Sequence, residues 1–229
     1  MKVRCRLFRG AFVLIVACLV FLQGLTAYEV PLAPASVRDA YVLGQRNDQV
    51  TAGFLNPYLK QLKEEGVAGP HISEIEILTP FTQVVDDSRK NGTKGYTEED
   101  AERGYRKRGD TIVVRISLML PAAYPKTDRE PPTPGLSEFQ AQNTSLRPEN
   151  FWQNFRFSVK QHDKVIATRA VHNKPIYSTP TKDLPSVLVG ATVWLEYDAK
   201  DVQSEETTVE VVTPEAKTIS AMFDLKKLR

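Results

Sequence analysis

Cysteine is nearly absent from this chain of 229 residues, because Cys5 and Cys18 are its only two and both lie in the first 27 residues. The rest of the chain therefore has no disulfide, no thiolate metal site and no cysteine nucleophile. A protein of this kind depends on the burial of a hydrophobic core, and about 200 residues are enough for one.

Histidine and glycine motifs are also lacking. The three histidines, His71, His162 and His172, do not have metal-ligand spacing such as HExxH, and we interpret them as exposed loop residues. No glycine-rich phosphate loop occurs, and neither GxSxG nor SxxK is found. Asp86 and Asp87 do not match a calcium loop, so we interpret them as solvated surface charge. We predict no cofactor and no metal, and consider an enzyme less favoured than a binding protein.

The first 27 residues have the pattern of a secretion signal. A basic start (residues 1–10) precedes an unbroken apolar run (residues 11–22, AFVLIVACLVFL) and small residues up to Ala27. We expect export to the periplasm or the extracellular space, with cleavage after Ala27. The alternative is an uncleaved anchor, because residues 11–27 reach the lower limit of about 17 residues for a membrane span.

Positive charge is concentrated in this leader. The chain has 30 basic and 28 acidic residues, but the leader holds four of the basic ones and no acid. The remaining 202 residues therefore have 26 basic and 28 acidic groups, a net charge of −2. The pI near 8.4 thus gives no indication of nucleic-acid binding, and contact with a membrane is expected only through an uncleaved leader.

Hydrophobic periodicity divides the mature chain into two parts. Residues 28–70 are expected to form an extended lead-in and helices over about 36–65, the second helix either starting near Asn56 or being kinked there. From residue 71 the pattern is typical of short strands, including one over 81–86. We predict a mainly β fold, an immunoglobulin-like antiparallel β-sandwich over 71–229 with a small N-terminal helical section.

Two polar insertions interrupt the predicted sandwich. Residues 88–110 include a helix that opens at Thr97, with acids at its start and the basic residues 106–108 at its end, which complements the helix dipole. Residues 121–150 contain six prolines. Long loops on a rigid scaffold often carry function, so both insertions are candidate recognition surfaces.

The two tryptophans are the strongest indication of a ligand site. Trp152 and Trp194 have the opposite parity to the apolar residues of their strands, which places them on the polar face of the sheet. Arg156 and Glu196 share that parity and complete the candidate ligand-binding set. The competing interpretation is that helices or the long loop cover this face and bury both rings.

Three stretches suggest a family. LGQRND at 43–48, LTPF at 78–81 followed by QVV at 83–85, and VWLEYDAKDV at 193–202 together resemble a group of exported bacterial proteins whose own activity is unknown. The resemblance covers nearly the whole mature chain. It implies one unit in a bacterial envelope or periplasm, and it implies no activity, cofactor or site residue.

These observations predict a non-enzymatic exported interaction protein of the cell envelope or periplasm, which binds an unidentified protein partner through loops on a β-sandwich. The alternative is a carbohydrate-binding module or a glycan-acting hydrolase that uses Trp152 and Trp194. A weaker third interpretation is assembly through an exposed edge strand.

Overall fold

A computed structural model describes residues 28–62, 69–121, 148–179 and 186–229. The predicted leader and residues 122–147 of the predicted 121–150 insertion lie outside the described residues. Within the described ranges, four helices and nine strands form a mixed helical and antiparallel β structure. No helix in this part of the chain has the length and apolarity needed to cross a membrane.

The helices lie in two pairs along the chain. They are α1 (Pro34–Arg46), α2 (Gln49–Leu55), α3 (Pro80–Asn91) and α4 (Glu98–Arg108). Side chains cap three of them: Asp48 accepts hydrogen bonds at the start of α2, Thr79 at α3, and Thr97 at α4. These caps satisfy backbone N–H groups that have no partner within the helix. The predicted helix after Thr97, ending at basic residues, is confirmed.

The strands form two antiparallel sheets. They are β1 (Leu59–Gln61), β2 (His71–Leu78), β3 (Thr111–Met119), β4 (Arg156–Gln161), β5 (Lys164–Val165), β6 (Ala170–Tyr177), β7 (Leu188–Asp198), β8 (Glu206–Val212) and β9 (Thr218–Asp224). One sheet has five strands in the order β1-β2-β3-β7-β6, and the other has four in the order β5-β4-β8-β9. The pair α3 and α4 therefore interrupts the connection between the adjacent strands β2 and β3.

The main hydrophobic core combines side chains from both sheets. Alternate residues of strand β3, which share one face, lie in this core, as the alternation in the sequence predicts. They are Ile112, Val114, Ile116 and Leu118. Strands β7 and β8 face it with their own alternating residues, such as Leu195 and Val209. The β-rich, sandwich-like part of the prediction is therefore supported by the packing of two sheets around one core.

A second, smaller core lies among the helices. It includes Val37 and Ala40 from α1, Phe81 and Val85 from α3, and Tyr105 from α4. Gly44 marks the close approach of α1 and α3, because a Cβ added there would lie 2.4 Å from the carbonyl oxygen of Val85. The helical residues before and within the sandwich thus pack with one another, and α3 is the helix that the prediction lacks.

The structure corrects three predicted elements. Residues 81–86 belong to α3 and are not a strand, because Thr79 caps this segment and Pro80 occupies its first turn. The second N-terminal helix ends at Leu55, and Leu59–Gln61 is strand β1, paired with β2. Trp152 lies in a 3₁₀ turn, Phe151–Asn154, and the strand begins only at Arg156.

Candidate functional site

A row of polar side chains crosses the face of the five-stranded sheet that points away from the main core, called here the outer face. Arg115 is in register with Glu76 on one side and with Trp194 on the other, and Trp194 is in register with His172. Directly opposed residues of antiparallel strands project to the same face. The row therefore spans β2, β3, β7 and β6.

Helix α3 lies over one end of this face. Gln83 donates hydrogen bonds to the carbonyl oxygens of Leu78 and Thr111, at 3.1 and 2.6 Å. One turn further, Asp86 lies 3.0 Å from the guanidinium of Arg115. These contacts fix the helix on the sheet through buried polar groups, which need such partners to be stable away from water.

Arg115 is the centre of a buried ionic network. Its guanidinium contacts Glu76 from the neighbouring strand and Asp86 from the helix. Asp86 also contacts Lys90 and, at 3.0 Å, Arg89. The side chains of Glu76 and Asp86 are only 9% and 6% exposed, so this network joins helix to sheet in a region of little solvent screening.

The pKa values of the two carboxylates in this network are shifted in opposite directions. Burial raises the pKa of Glu76, and the charge of Arg115 only partly opposes this rise. Burial also acts to raise the pKa of Asp86, but hydrogen bonding from Lys90 and the charge of Arg115 outweigh it, so that this pKa is lowered.

A cleft of about 290 Å³ opens between the helices and the outer face; we call it the outer cleft. Its floor is formed by residues of four strands: Leu78, Val113, Arg115, His172, Trp194 and Glu196. Its wall is formed by residues of α3 and α4: Gln83, Asp86, Asp87, Lys90 and Arg108. The helical pair between β2 and β3 thus converts an open sheet face into a concave site.

The charged side chains of the outer cleft are paired with one another. Arg108 contacts Asp87 at 2.7 Å, which joins the two helices. Nε2 of His172 on β6 lies 3.4 Å from Oε1 of Glu196 on the neighbouring strand β7. Together with the Asp86 contacts, each carboxylate that lines the outer cleft has a basic or imidazole partner within the protein, so a ligand would meet polar groups with little net charge.

The structure separates the four residues predicted to bind a ligand. Trp194 and Glu196 both lie on the outer face and line the outer cleft. Trp152 packs against the main core, on the opposite side of the five-stranded sheet. Arg156 is exposed at the start of β4 in the other sheet. The single site predicted from both tryptophans is therefore not formed.

The sequence contained a signal for some residues that the prediction missed. Arg115 interrupts the apolar strand TIVVRISLM with a charge on the parity opposite to the core residues, which indicates a partner on the outer face. Asp86 is buried rather than solvated as predicted. His172 is exposed, as predicted, but it lies inside β6 rather than in a loop, and it lines the outer cleft.

A larger groove of about 910 Å³ lies beside the turn between β4 and β5. It contains His162 and charged loop residues such as Lys200, but neither tryptophan. In the ranges that the structure describes, no group of three or more histidine, cysteine, aspartate or glutamate residues could hold a metal ion.

Comparison of the chain with protein-family models, with curated proteins and with solved structures finds no match. The resemblance to exported bacterial proteins therefore rests on the three stretches of sequence alone. The function has to be argued from the outer cleft itself.

Proposed function

We propose that this protein is an exported, non-catalytic recognition protein built on an immunoglobulin-like sandwich, with the outer cleft as its recognition site. The observation that carries the proposal is the position of Trp194, half-buried in a concave site beside charged side chains that are already paired. Concave sites with a few convergent polar groups are where proteins most often bind ligands.

The strand order supports the immunoglobulin-like part of the proposal. In such domains the strands A, B, E and D form one sheet and C, F and G form the other. If β2 is taken as strand A, then β2-β3-β7-β6 corresponds to A-B-E-D, and β5-β4-β8-β9 corresponds to C′-C-F-G. Strand β1 is then an addition at the edge, and α3 with α4 is an insertion between A and B.

The pairing of the carboxylates favours binding over hydrolysis. A glycan-acting hydrolase needs one carboxyl group that can give a proton and one that can attack or activate water. Glu76 and Asp86 have pKa values shifted in the required opposite directions. However, both contact the same guanidinium, and Glu76 is not among the residues that line the outer cleft. We infer that they hold α3 on the sheet.

Location and partner remain part of the proposal. Export is proposed on the pattern of the first 27 residues, and the ligand is accordingly expected in the cell envelope or outside the cell. A protein of the envelope was the first expectation from the long insertions. The 88–110 insertion contributes to the wall of the outer cleft through α4 and the end of α3, which supports recognition of a partner at the outer cleft.

Trp194 provides a direct test of this proposal. The chain has two tryptophans, so Trp152→Phe leaves Trp194 as the only one, and its fluorescence reports the outer cleft. We expect a soluble extract of the cell envelope to shift this emission in a saturable manner and to protect Trp194 from iodide quenching.

The matched control is Trp194→Phe, in which Trp152 reports from the main core and should not respond to the extract. Trp194 emission that stays unchanged at the highest extract concentration overturns the proposed site. Recovery of the bound ligand in a chemically altered form overturns the non-catalytic part, because a recognition protein releases its ligand unchanged.

A further inference from the structure

We infer that the ligand of the outer cleft is a neutral oligosaccharide segment, with one sugar ring packed on the indole of Trp194 and its hydroxyl groups bonded to the paired charges around that ring. This inference rests on the proposed function and names the chemical class of its ligand. Four features of the outer cleft support it: charge balance, hydrogen-bonding capacity, an aromatic surface and size.

The charges that line the outer cleft cancel. Three carboxylates, Asp86, Asp87 and Glu196, are equal in number to three cations, Lys90, Arg108 and Arg115, and Glu196 has His172 as its partner. An anionic ligand would have to compete with Asp86 or Asp87 for their cations and leave a carboxylate without compensation, which is costly in a partly desolvated site. A neutral ligand leaves all these pairs intact.

The same pairs retain unused hydrogen-bonding capacity. A carboxylate has about four acceptor positions and a guanidinium has five N–H donors, so one ion pair does not exhaust either group. Arg108, for example, uses Nη1 for Asp87. Donors and acceptors therefore alternate within a few side chains, which suits hydroxyl groups, since each hydroxyl both donates and accepts.

Trp194 supplies the apolar surface that an ion or a small polar solute would not need. Its neighbours in register, Arg115 and His172, are both polar, and it makes no ring–ring contact among the described residues. A sugar ring is amphipathic in the same way, with C–H groups on its face and hydroxyl groups at its edge. An indole beside polar side chains matches both parts.

The size of the outer cleft limits the ligand to a short segment. Its volume of about 290 Å³ lies just below the range of about 300–1,000 Å³ for small-molecule sites. This size favours one or two rings, either free or at the end of a longer chain. His172 on strand β6 is exposed, so the outer cleft is open to solvent at this end. The remainder of a longer oligosaccharide could extend from it there.

Defined trisaccharides test the inference on the protein purified after export, carrying Trp152→Phe. The probes are two neutral trimers, triacetylchitotriose and maltotriose, within an array of neutral glycans, and one anionic trimer, trigalacturonic acid. We expect at least one neutral glycan to shift the emission of Trp194 and the anionic trimer to have no effect.

Three variants locate the binding, measured by calorimetry with the neutral glycan that binds. Trp194→Ala and Glu196→Gln are each expected to weaken it by roughly tenfold or more, the size of one lost contact of about 1.4 kcal/mol. Met222→Ala, at an exposed methionine of the other sheet, is the matched control and should bind as the wild type does. Circular dichroism verifies that each variant is folded, and Glu196→Gln keeps the test valid if Trp194→Ala does not fold.

The outcomes separate this inference from the proposed function. No response to any neutral glycan, or a response to the anionic trimer alone, overturns the sugar ligand. If protease-sensitive components of the envelope extract shift Trp194 and the glycans do not, the outer cleft binds a protein, so the proposed site stands and the sugar inference fails. Glycan binding that all three variants leave unchanged also overturns it, because the sugar would then bind elsewhere.

Discussion

At the scale of single residues, Arg115 determines how the helical insertion is held on the sheet. The guanidinium joins Glu76 in β2 to Asp86 in α3, and Asp86 has further basic partners. Removing one member of a buried charged network is costly when it leaves another charge without a partner. Its two carboxylates should therefore differ in importance, because only the loss of Asp86 leaves several cations uncompensated.

We predict that Asp86→Asn lowers the free energy of unfolding at pH 7 by about 3 kcal/mol, whereas Glu76→Gln changes it by less than about 1 kcal/mol. In the second variant a buried carboxylate is removed together with its desolvation cost, and Arg115 keeps Asp86. Urea denaturation of both variants measures the difference. Equal losses in the two would contradict the unequal roles.

The pH dependence of these variants follows from the directions of the pKa shifts. The pKa of Asp86 is lowered in the folded state, so its stabilisation is present above the unfolded pKa and is lost as the pH falls through the folded one. The deficit of Asp86→Asn should therefore shrink below about pH 4. The pKa of Glu76 is raised, so wild-type stability from this group is lost as the pH rises through the folded pKa. The free energy of unfolding of Glu76→Gln, relative to that of the wild type, should accordingly be highest at neutral pH and lowest in acid.

At the scale of secondary-structure elements, the contact between α1 and α3 depends on the absence of a side chain at Gly44. A Cβ there would lie 2.4 Å from Val85 O and 2.6 Å from Ser88 Cβ, so Gly44→Ala must push the helices apart. We expect a loss of about 1–3 kcal/mol. Gly53→Ala in α2 is the matched control, since a Cβ there meets nothing within 4 Å, and it should stabilise by about 0.5–1 kcal/mol. Equal effects at both positions would contradict the close packing.

Helix α4 should depend on its N-terminal cap. The Thr97 hydroxyl accepts a hydrogen bond of 3.2 Å from the backbone N–H of Asp100, and the Asp100 carboxylate accepts one of 3.1 Å from that of Thr97. Thr97→Ala is expected to lower the free energy of unfolding by about 1 kcal/mol. Thr93→Ala, at an exposed threonine four residues earlier, should have a much smaller effect in the same denaturation experiment.

The elements that the sequence predicts well are those whose pattern is unambiguous. Strand β3 alternates over its whole length, and Thr97 with three acids marks the start of α4, so both were predictable. PFTQVV at 80–85 is a short segment with apolar residues at both ends, and its pattern suits a strand or a buried helix equally. Its helical form is stabilised by the packing of Phe81 and Val85 against α1, and contacts so distant in the sequence are not visible in local periodicity.

The candidate site is less predictable than the fold for the same reason. Parity places Trp194 and Glu196 on one face of β7, and they do line the outer cleft. The wall of that cleft comes from α3 and α4, whose position depends on the buried contacts of Gln83 and Asp86. The parity argument fails for Trp152, because the strand begins only at Arg156.

At the scale of the whole molecule, the helical core and the main core are expected to unfold together. Phe54 packs against both of them, and Arg115 links α3 to the five-stranded sheet. We predict one cooperative transition in which the helical signal by circular dichroism and the fluorescence of Trp152, measured in the Trp194→Phe variant, have the same midpoint.

Phe54→Ala should lower that midpoint and begin to separate the two signals, since it removes a ring shared by both cores. If the helical signal in Trp194→Phe disappears at a lower urea concentration than the Trp152 signal, the helices form a separate unit. The outer cleft would then open before the sandwich unfolds.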